Sequence, residues 1–347
     1  MLFNMNLKNI ASFFVISIAI VIILIYGRSL LIPFIFAVLL WFIIRKLKSI
    51  LDMLPFIKKR IPSWLKSLIS ATVVLFILNF SSKVLLSSIN SLAKSYEQYA
   101  SNINIIMLKL NEFLNMNFLE AIKGYSSSFD FGMILGSIFS SLTDILSNSF
   151  MILLYTLFIF LEEQHFQTKL KVIFSKNNQY TQVIKILEKI ETSIAHYLGL
   201  KTVVSLITGG LSYVALLIIG IDSPEFWTFL IFILNFIPTI GSLIGTVFPA
   251  TFSLLQFGEF TPFLLVILFV GSIQILVGNI LEPKLMGNSL NISSLVAIIS
   301  LSFWGVIWGV TGMILSIPIT VILIILCSQF NKSKAIAILL SEKGKIG

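Results

Sequence analysis

The chain has 347 residues, 57% of them apolar and only 11% charged, with a net charge of +9. So apolar a composition excludes an ordinary soluble domain, and basic residues clustered beside apolar runs point to a membrane, not to nucleic acid. The single cysteine, Cys327, excludes an intrachain disulfide framework and a cysteine-only metal cluster.

In chain order, residues 10–26 and 30–44 are apolar runs joined by Gly27-Arg28-Ser29, a link short enough for a tight helical hairpin. No small-x-small cleavage pattern follows the first run, so it reads as an anchor. Pro33 is expected in the first turn of the second helix, where its missing N–H costs little. Arg45, Lys46, Lys48, Lys58, Lys59, Arg60 and Lys66 against Asp52 then mark a cytoplasmic loop. A third span near residues 65–80 completes an N-terminal transmembrane unit, residues 1–80.

Residues 81–144 are rich in Ser and Asn and read as an extracytoplasmic helical arm. Leu85, Ile89, Leu92, Tyr96, Tyr99, Ile103, Ile106, Leu110 and Phe113 form a heptad seam within it. Such a seam packs either on its own membrane domain or on a sister subunit. The arm ends in a turn around Lys123-Gly124-Tyr125-Ser126-Ser127-Ser128. A fourth span is expected at residues 145–161, then a basic, amphipathic cytoplasmic linker at 162–200. Val183, Leu187, Ile190, Ile194 and Tyr197 mark one face of that linker. Residues 201–330 form a C-terminal unit, and residues 331–347 a cytoplasmic tail. Thr202, Ser205, Gly209 and Ser212 line one stripe of the fifth span, a pattern of close helix packing.

The last third holds two apolar stretches too long for single crossings. Residues 226–256 would be about 46 Å as one helix and residues 291–328 about 57 Å, against a core of roughly 30 Å. Each has breakers at its middle: Pro238 and Gly241 in one, Gly305, Gly309 and Gly312 in the other. Proline cannot pass through a helix unperturbed, and broken backbone at membrane depth survives only against protein or a water-filled cavity. Both stretches therefore read as broken helical hairpins, with single crossings, eight in all, as the alternative. Gly220 and Gly287, Pro238 and Gly305, and Gly245 and Gly312 all stand 67 residues apart, with Pro249 and Pro318 69 apart, which suggests an inverted repeat. The expected fold is an all-α integral membrane protein of about eight hydrophobic segments plus the arm.

Candidate functional residues follow from polarity at membrane depth. Asn235, Pro238, Gly241 and Ser242 form one hairpin tip, and Gly305, Gly309 and Gly312 the other. Between them, Gly271, Gln274, Gly278 and Glu282 share one helical stripe with Asn279 nearby. A carboxylate there is a functional candidate by default; the alternative is an interfacial Glu282 paired with Lys284 or capping a helix. Pro283, Gly287 and Pro318 are expected at turns or hinges.

Three motifs carry a family resemblance. Asn235-Phe236-Ile237-Pro238-Thr239-Ile240-Gly241, then Asn279-Ile280-Leu281-Glu282-Pro283-Lys284-Leu285-Met286-Gly287, then the stretch from Phe303-Trp304-Gly305 to Val310-Thr311-Gly312 with Pro318, resemble the AI-2E (autoinducer-2 exporter-like) permease family. The resemblance implies a multi-pass bacterial inner-membrane transporter. Some relatives are linked to export of the quorum signal autoinducer-2 and others to sodium/proton exchange. It also implies a homo-oligomer, suspected to be a pentamer.

The leading function is secondary transport of a small polar solute or signal molecule, ion-coupled through sodium or protons, or facilitated. A sodium(lithium)/proton antiporter is the alternative within that class. No Gly-x-x-x-x-Gly-Lys-Ser/Thr motif points to ATP. An enzyme lacks a visible agent: His165 and His196 fall in the linker, Asp52, Asp130, Asp144 and Asp222 lie outside the spans, and no cofactor or metal set appears. A membrane scaffold using the arm is the alternative of another class. Both termini are expected in the cytoplasm.

Overall fold

The computed structural model describes residues 7–53, 60–94, 99, 102, 105–106, 109, 140, 148–174, 179–286, 292–330, 333–342 and 344. Every regular element among them is helical. In order they are α1 (Leu7–Tyr26), α2 (Arg28–Met53), α3 (Ser63–Lys94), α4 (Ser149–Ile173), α5 (Gln179–Ile219), α6 (Pro224–Leu234), α7 (Ile240–Phe257), α8 (Phe260–Leu276), a π-turn (Val277–Leu281), α9 (Glu282–Met286), α10 (Ser294–Gln329) and α11 (Lys334–Leu340). Six helical stretches are long and apolar enough to cross a membrane, and Phe14–Tyr26 and Pro224–Leu234 are shorter apolar helices. The protein is an all-α integral membrane protein.

Several boundaries differ in detail from the sequence reading. Helix α2 begins at Arg28, so Pro33 lies in its second turn and the Ser29 carbonyl has no helical N–H to receive. Helix α3 runs through residue 80 to Lys94 without a break. The apolar part of α4 described here, residues 149–161, covers about 20 Å at 1.5 Å per residue. Tyr96, Ile103, Leu110 and Phe113 of the seam, the turn at 123–128, and Gly287 lie outside the described residues. Of the seam, Leu85 and Tyr99 are buried with Trp227, Leu230, Phe248 and Phe252, so these positions pack on the chain's own membrane helices.

Helix α5 is the hub, packing against α2, α6, α8 and α10. Small residues allow this close packing, which in lipid does much of the work that hydrophobic burial does in water. A Cβ at Gly209 would stand 3.4 Å from Thr228 Cγ2 and 3.5 Å from its carbonyl oxygen.

The two long apolar stretches are both hairpins. In the first, α6 and α7 are separated by residues 235–239, and a Cβ at Gly245 would lie 3.4 Å from Ile231 Cγ1. In the second, α10 is broken at Gly309, whose φ of 63° and ψ of −146° are not helical. Ser300 Oγ and Thr320 Oγ1 are 2.6 Å apart across that break. A straight helix would separate them by about 30 Å. We expect Ser300→Cys with Thr320→Cys, in a Cys327→Ser background, to form an oxidant-induced cross-link visible by peptide mass spectrometry. Lack of any cross-link would mean a straight crossing.

The hairpins open toward opposite faces. At the base of the first, Gln256 Nε2 donates to the Gly220 carbonyl at 2.8 Å, and Asp222 N–H donates to Gln256 Oε1 at 2.9 Å. The arm closes over this base. Tyr99 Oη donates to the Asp222 carboxylate at 2.7 Å, Asn102 Nδ2 to the carbonyls of Leu255 and Gln256 at 2.8 Å each, and Lys109 Nζ to the Gly258 carbonyl at 2.8 Å. That end is the arm face. The base of the second hairpin lies at the other end, where Ser293 N–H donates to the Leu340 carbonyl at 3.2 Å. There too, Arg45 pairs with Glu163 at 3.4 Å and Glu191 at 3.1 Å, tying α2, α4 and α5 together. The second tip, Gly309, meanwhile reaches Arg28 and Asn148, at the starts of α2 and α4.

Candidate functional site

The first tip is built from backbone. Asn235 ends α6 and is buried, with its Nδ2 donating to Ser205 Oγ of α5 at 3.1 Å. Pro238 stops the helix, and Ile240 N–H donates to the Pro238 carbonyl at 2.6 Å across Thr239. With φ 62° and ψ −55°, Thr239 is the centre of a positive-φ γ-turn, a rare and strained conformation. For a β-branched residue this is a true outlier, costing on the order of 1–3 kcal/mol. Ser242 Oγ caps the turn by donating to the Thr239 carbonyl at 2.9 Å. Gly241 is obligatory because any Cβ there would collide with the Leu234 carbonyl oxygen.

Helix α5 joins this tip to Glu282. Lys201, almost fully buried, forms an ion pair with Glu282 Oε1. Ser205 follows Lys201 by four residues, one turn up the same face, so the Asn235 contact and the Glu282 contact are about 6 Å apart along the axis. The partner of Glu282 is thus Lys201 and not Lys284, which is exposed. Pro283 lies near the end of the continuous helical stretch from Phe260 to Met286, directly after the π-turn, where its missing N–H leaves one carbonyl of that turn without a helical donor.

The expected stripe from Gly271 to Glu282 does not survive intact. The segment Val277–Leu281 is a π-turn, whose i→i+5 bonding fits an extra residue into the turn and shifts the helical register between Gln274 and Glu282. Gln274 consequently points to α7: a Cβ at Gly245 would meet its Nε2 at 3.1 Å. Glu282 faces α5 instead, and Asn279 is exposed. Gln274 Nε2 is buried and has no hydrogen-bond partner among the described residues. An orphaned amide of this kind costs about 1–3 kcal/mol.

The second tip repeats the close approach of the first. A Cβ at Gly312 would collide with the Trp304 carbonyl oxygen, just as one at Gly241 would with Leu234. Geometry therefore matches Gly241 with Gly312, 71 residues apart, in place of the 67-residue pairing of Gly245 with Gly312. Gly305 lies against Met313, 2.9 Å from an added Cβ to Met313 Cε, and Pro318 is buried in the returning arm. The two tips share neighbours: Phe236 packs into the cluster of Trp304, Ile307 and Trp308, while Val310 and Met313 pack on that of Leu234 and Ile237. A cavity of about 380 Å³ opens at Gly309, lined among others by Arg28, Asn148, Trp308 and Thr311.

Among the residues this geometry adds are Lys201, Tyr197, Thr239 and Arg28. Lys201 was legible only as a lone basic residue at the mouth of an apolar run. Tyr197 is buried within reach of the Glu282 charge. Nothing in sequence distinguishes the strained Thr239 from an ordinary turn residue. Thr239→Gly is expected to raise the melting temperature in detergent, by relief of about 1 kcal/mol of backbone strain. A fall would show that the Thr239 side chain, not its backbone, is what the site requires.

Comparison with known proteins agrees with this architecture. Residues 13–332 match the profile described as AI-2E family transporter. The AI-2 transport protein TqsA of Escherichia coli K12 is 29% identical over 324 residues, 92% of each chain. A Borreliella burgdorferi protein, provisionally named as a transport protein, is 38% identical over 199 residues, covering 56% of this chain and 54% of its own. YhhT of Escherichia coli K12, also provisionally named so, is 28% identical over 289 residues, 82% of each. With a matching profile over nearly its whole length and two opposed hairpins at its centre, the chain belongs to the AI-2E family of transporters.

Proposed function

We propose that this protein is a secondary transporter in which the two hairpin tips flank the path of a small polar solute. The observation that carries the reading is the opposed pair of broken helices, each closed by a glycine against a backbone carbonyl. Such arrangements in transporters leave freed carbonyls and half-helix ends to meet solute and ion near the midplane. Asn235, Pro238, Gly241, Ser242, Gln274, Gly305, Gly309 and Gly312 border this path, with the Glu282–Lys201 pair as its charged gate. Asn279, exposed on the π-turn, lies at the path's margin. We read the Arg45 end as the cytoplasmic side of a bacterial inner membrane, with both termini on that side, because basic residues beside the spans favour it. The broad apolar surface of α1, α3 and α8 suits lipid and sister subunits of a homo-oligomer.

The relative named for AI-2 makes an autoinducer-2-like signal the first solute to test. Counterflow in proteoliposomes with that solute, run with and without sodium and proton gradients, is the deciding measurement. Solute uptake that depends on Glu282 supports this reading: Glu282→Gln is expected to abolish it, and Lys201→Met with Glu282→Leu, which restores stability, is expected not to recover it. The Lys201–Glu282 pair favours a second reading, sodium(lithium)/proton antiport, because it sets a buried ammonium against a carboxylate between apolar helices. Under that reading, a sodium gradient alone moves protons with no organic solute present. Absence of every flux would favour a scaffold.

A further inference from the structure

We infer that the cavity at the second tip is a binding site for an oxyanion, the carboxylate or phosphate of a small solute or the phosphate of a lipid headgroup. The cavity of about 380 Å³ is lined by Arg28, Ser29, Asn148, Trp308, Gly309 and Thr311, among others, and no carboxylate lines it among the described residues. Its size is that of a small-molecule site. Arg28 stands at the turn between α1 and α2, and among the described residues it has no ion-pair partner. By contrast Arg45, at the opposite face, pairs with two carboxylates. A guanidinium left unpaired beside a cavity, with its planar fork of donors, is suited to a carboxylate or phosphate.

A second, independent feature points into the same space. Thr311 is 5% exposed and lines the cavity, yet its hydroxyl has no hydrogen bond among the described residues. A hydroxyl that lines a cavity with no protein partner is free to donate to a ligand there. Gly309 contributes openness: with φ at +63° and no atom within 4 Å of an added Cβ, its backbone is bare to the cavity. Trp308 and Ile152 supply an apolar wall, so the site suits an anion carried on a small organic frame. The Trp308 indole is held away from the anion's task, its Nε1 donating to the Leu24 carbonyl at 2.9 Å.

This inference rests on the transport reading only for its consequence, delivery of an anionic solute to the tip, and not for binding itself. The test uses full-length protein in phosphatidylcholine nanodiscs, titrated with inorganic phosphate and with citrate. Tryptophan fluorescence reports binding, with Trp308→Phe identifying the cavity signal. A saturable change is expected, weakened at least tenfold in Arg28→Gln, within threefold of wild type in Arg28→Lys, and about threefold weaker in Thr311→Val. A parallel titration with short-chain phosphatidylglycerol distinguishes the sources. A response to phosphate or citrate assigns the site to a free solute, and an Arg28-dependent response to the lipid alone assigns it to a headgroup. Either supports an oxyanion site. Equal responses from wild type and Arg28→Gln, or no response to any of the three probes, overturns it. Solute counterflow dependent on Glu282 would be unaffected by that failure, so the two proposals fall separately.

Discussion

Alanine at Gly241 or at Gly312 is expected to abolish folded, transport-competent protein, the largest effect of a methyl addition at any described glycine. In each case the new Cβ would sit inside the van der Waals radius of a backbone carbonyl oxygen, that of Leu234 or of Trp304. A flexible side chain could swing away from such a clash, but these carbonyls belong to the final turn of the opposing arm. The hairpin must splay to relieve it. Overpacking of a rigid site costs about 1–3 kcal/mol and more where backbone must move, so a loss of at least about 3 kcal/mol is expected. Gly210→Ala and Gly278→Ala are the controls, because nothing lies within 4 Å of a Cβ at either. Melting temperature and monodispersity in detergent read the outcome. Wild-type melting in Gly241→Ala and Gly312→Ala would mean that the arms do not approach as closely as the structure has them. Helix propensity alone predicts the reverse, since alanine is the better helix former by about 1 kcal/mol. The sign of the change therefore decides between local propensity and tertiary contact.

The second large effect is expected at Lys201 and Glu282. Removing one partner of a buried pair leaves an uncompensated charge, which costs about 3–5 kcal/mol. Lys201 is nearly sealed from solvent and Glu282 partly open, so Glu282→Gln, which strands the lysine, is the more damaging single change. Lys201→Met with Glu282→Leu should restore most of the stability, since a well-packed apolar pair can replace a buried ion pair at little cost. Transport is not expected to return with it if the pair is the gate. A double-mutant cycle on melting temperature, with counterflow measured on the same four proteins, separates the two roles. Flux recovered in the apolar double variant would remove the charges from the mechanism and leave the pair as a structural staple. The π-turn just before Glu282 matters to this experiment, because it is what turns the carboxylate onto α5 and away from Gln274.

Much of this architecture was legible from residues alone. Run length against bilayer thickness marked the spans, since the hydrocarbon core admits only helices of sufficient apolar length. Pro238 and the glycines near residue 309 announced the two breaks, because they act through local backbone sterics that no distant contact can cancel. Asn235, Gln274 and Glu282 stood out as polar groups where lipid offers no partner. What those groups bond to was a different matter. The partner of Glu282 is 81 residues away and that of Asn235 is 30 away, and no periodicity in sequence selects Lys201 over Lys284, or Ser205 over any other hydroxyl. The π-turn was equally hidden, because helical stripe arithmetic presumes one constant rotation per residue. Only the packed structure reveals that Gly241 and Gly312 are equivalent, that Thr239 is strained, and that Arg28 lines a cavity with Trp308 and Thr311. Sequence by itself determined which stretches are apolar enough to cross and where the two long ones break, because both are local consequences of chain sterics and solvent. Tertiary structure decided which broken end meets which charge, because that depends on how the hairpins fold back against α5.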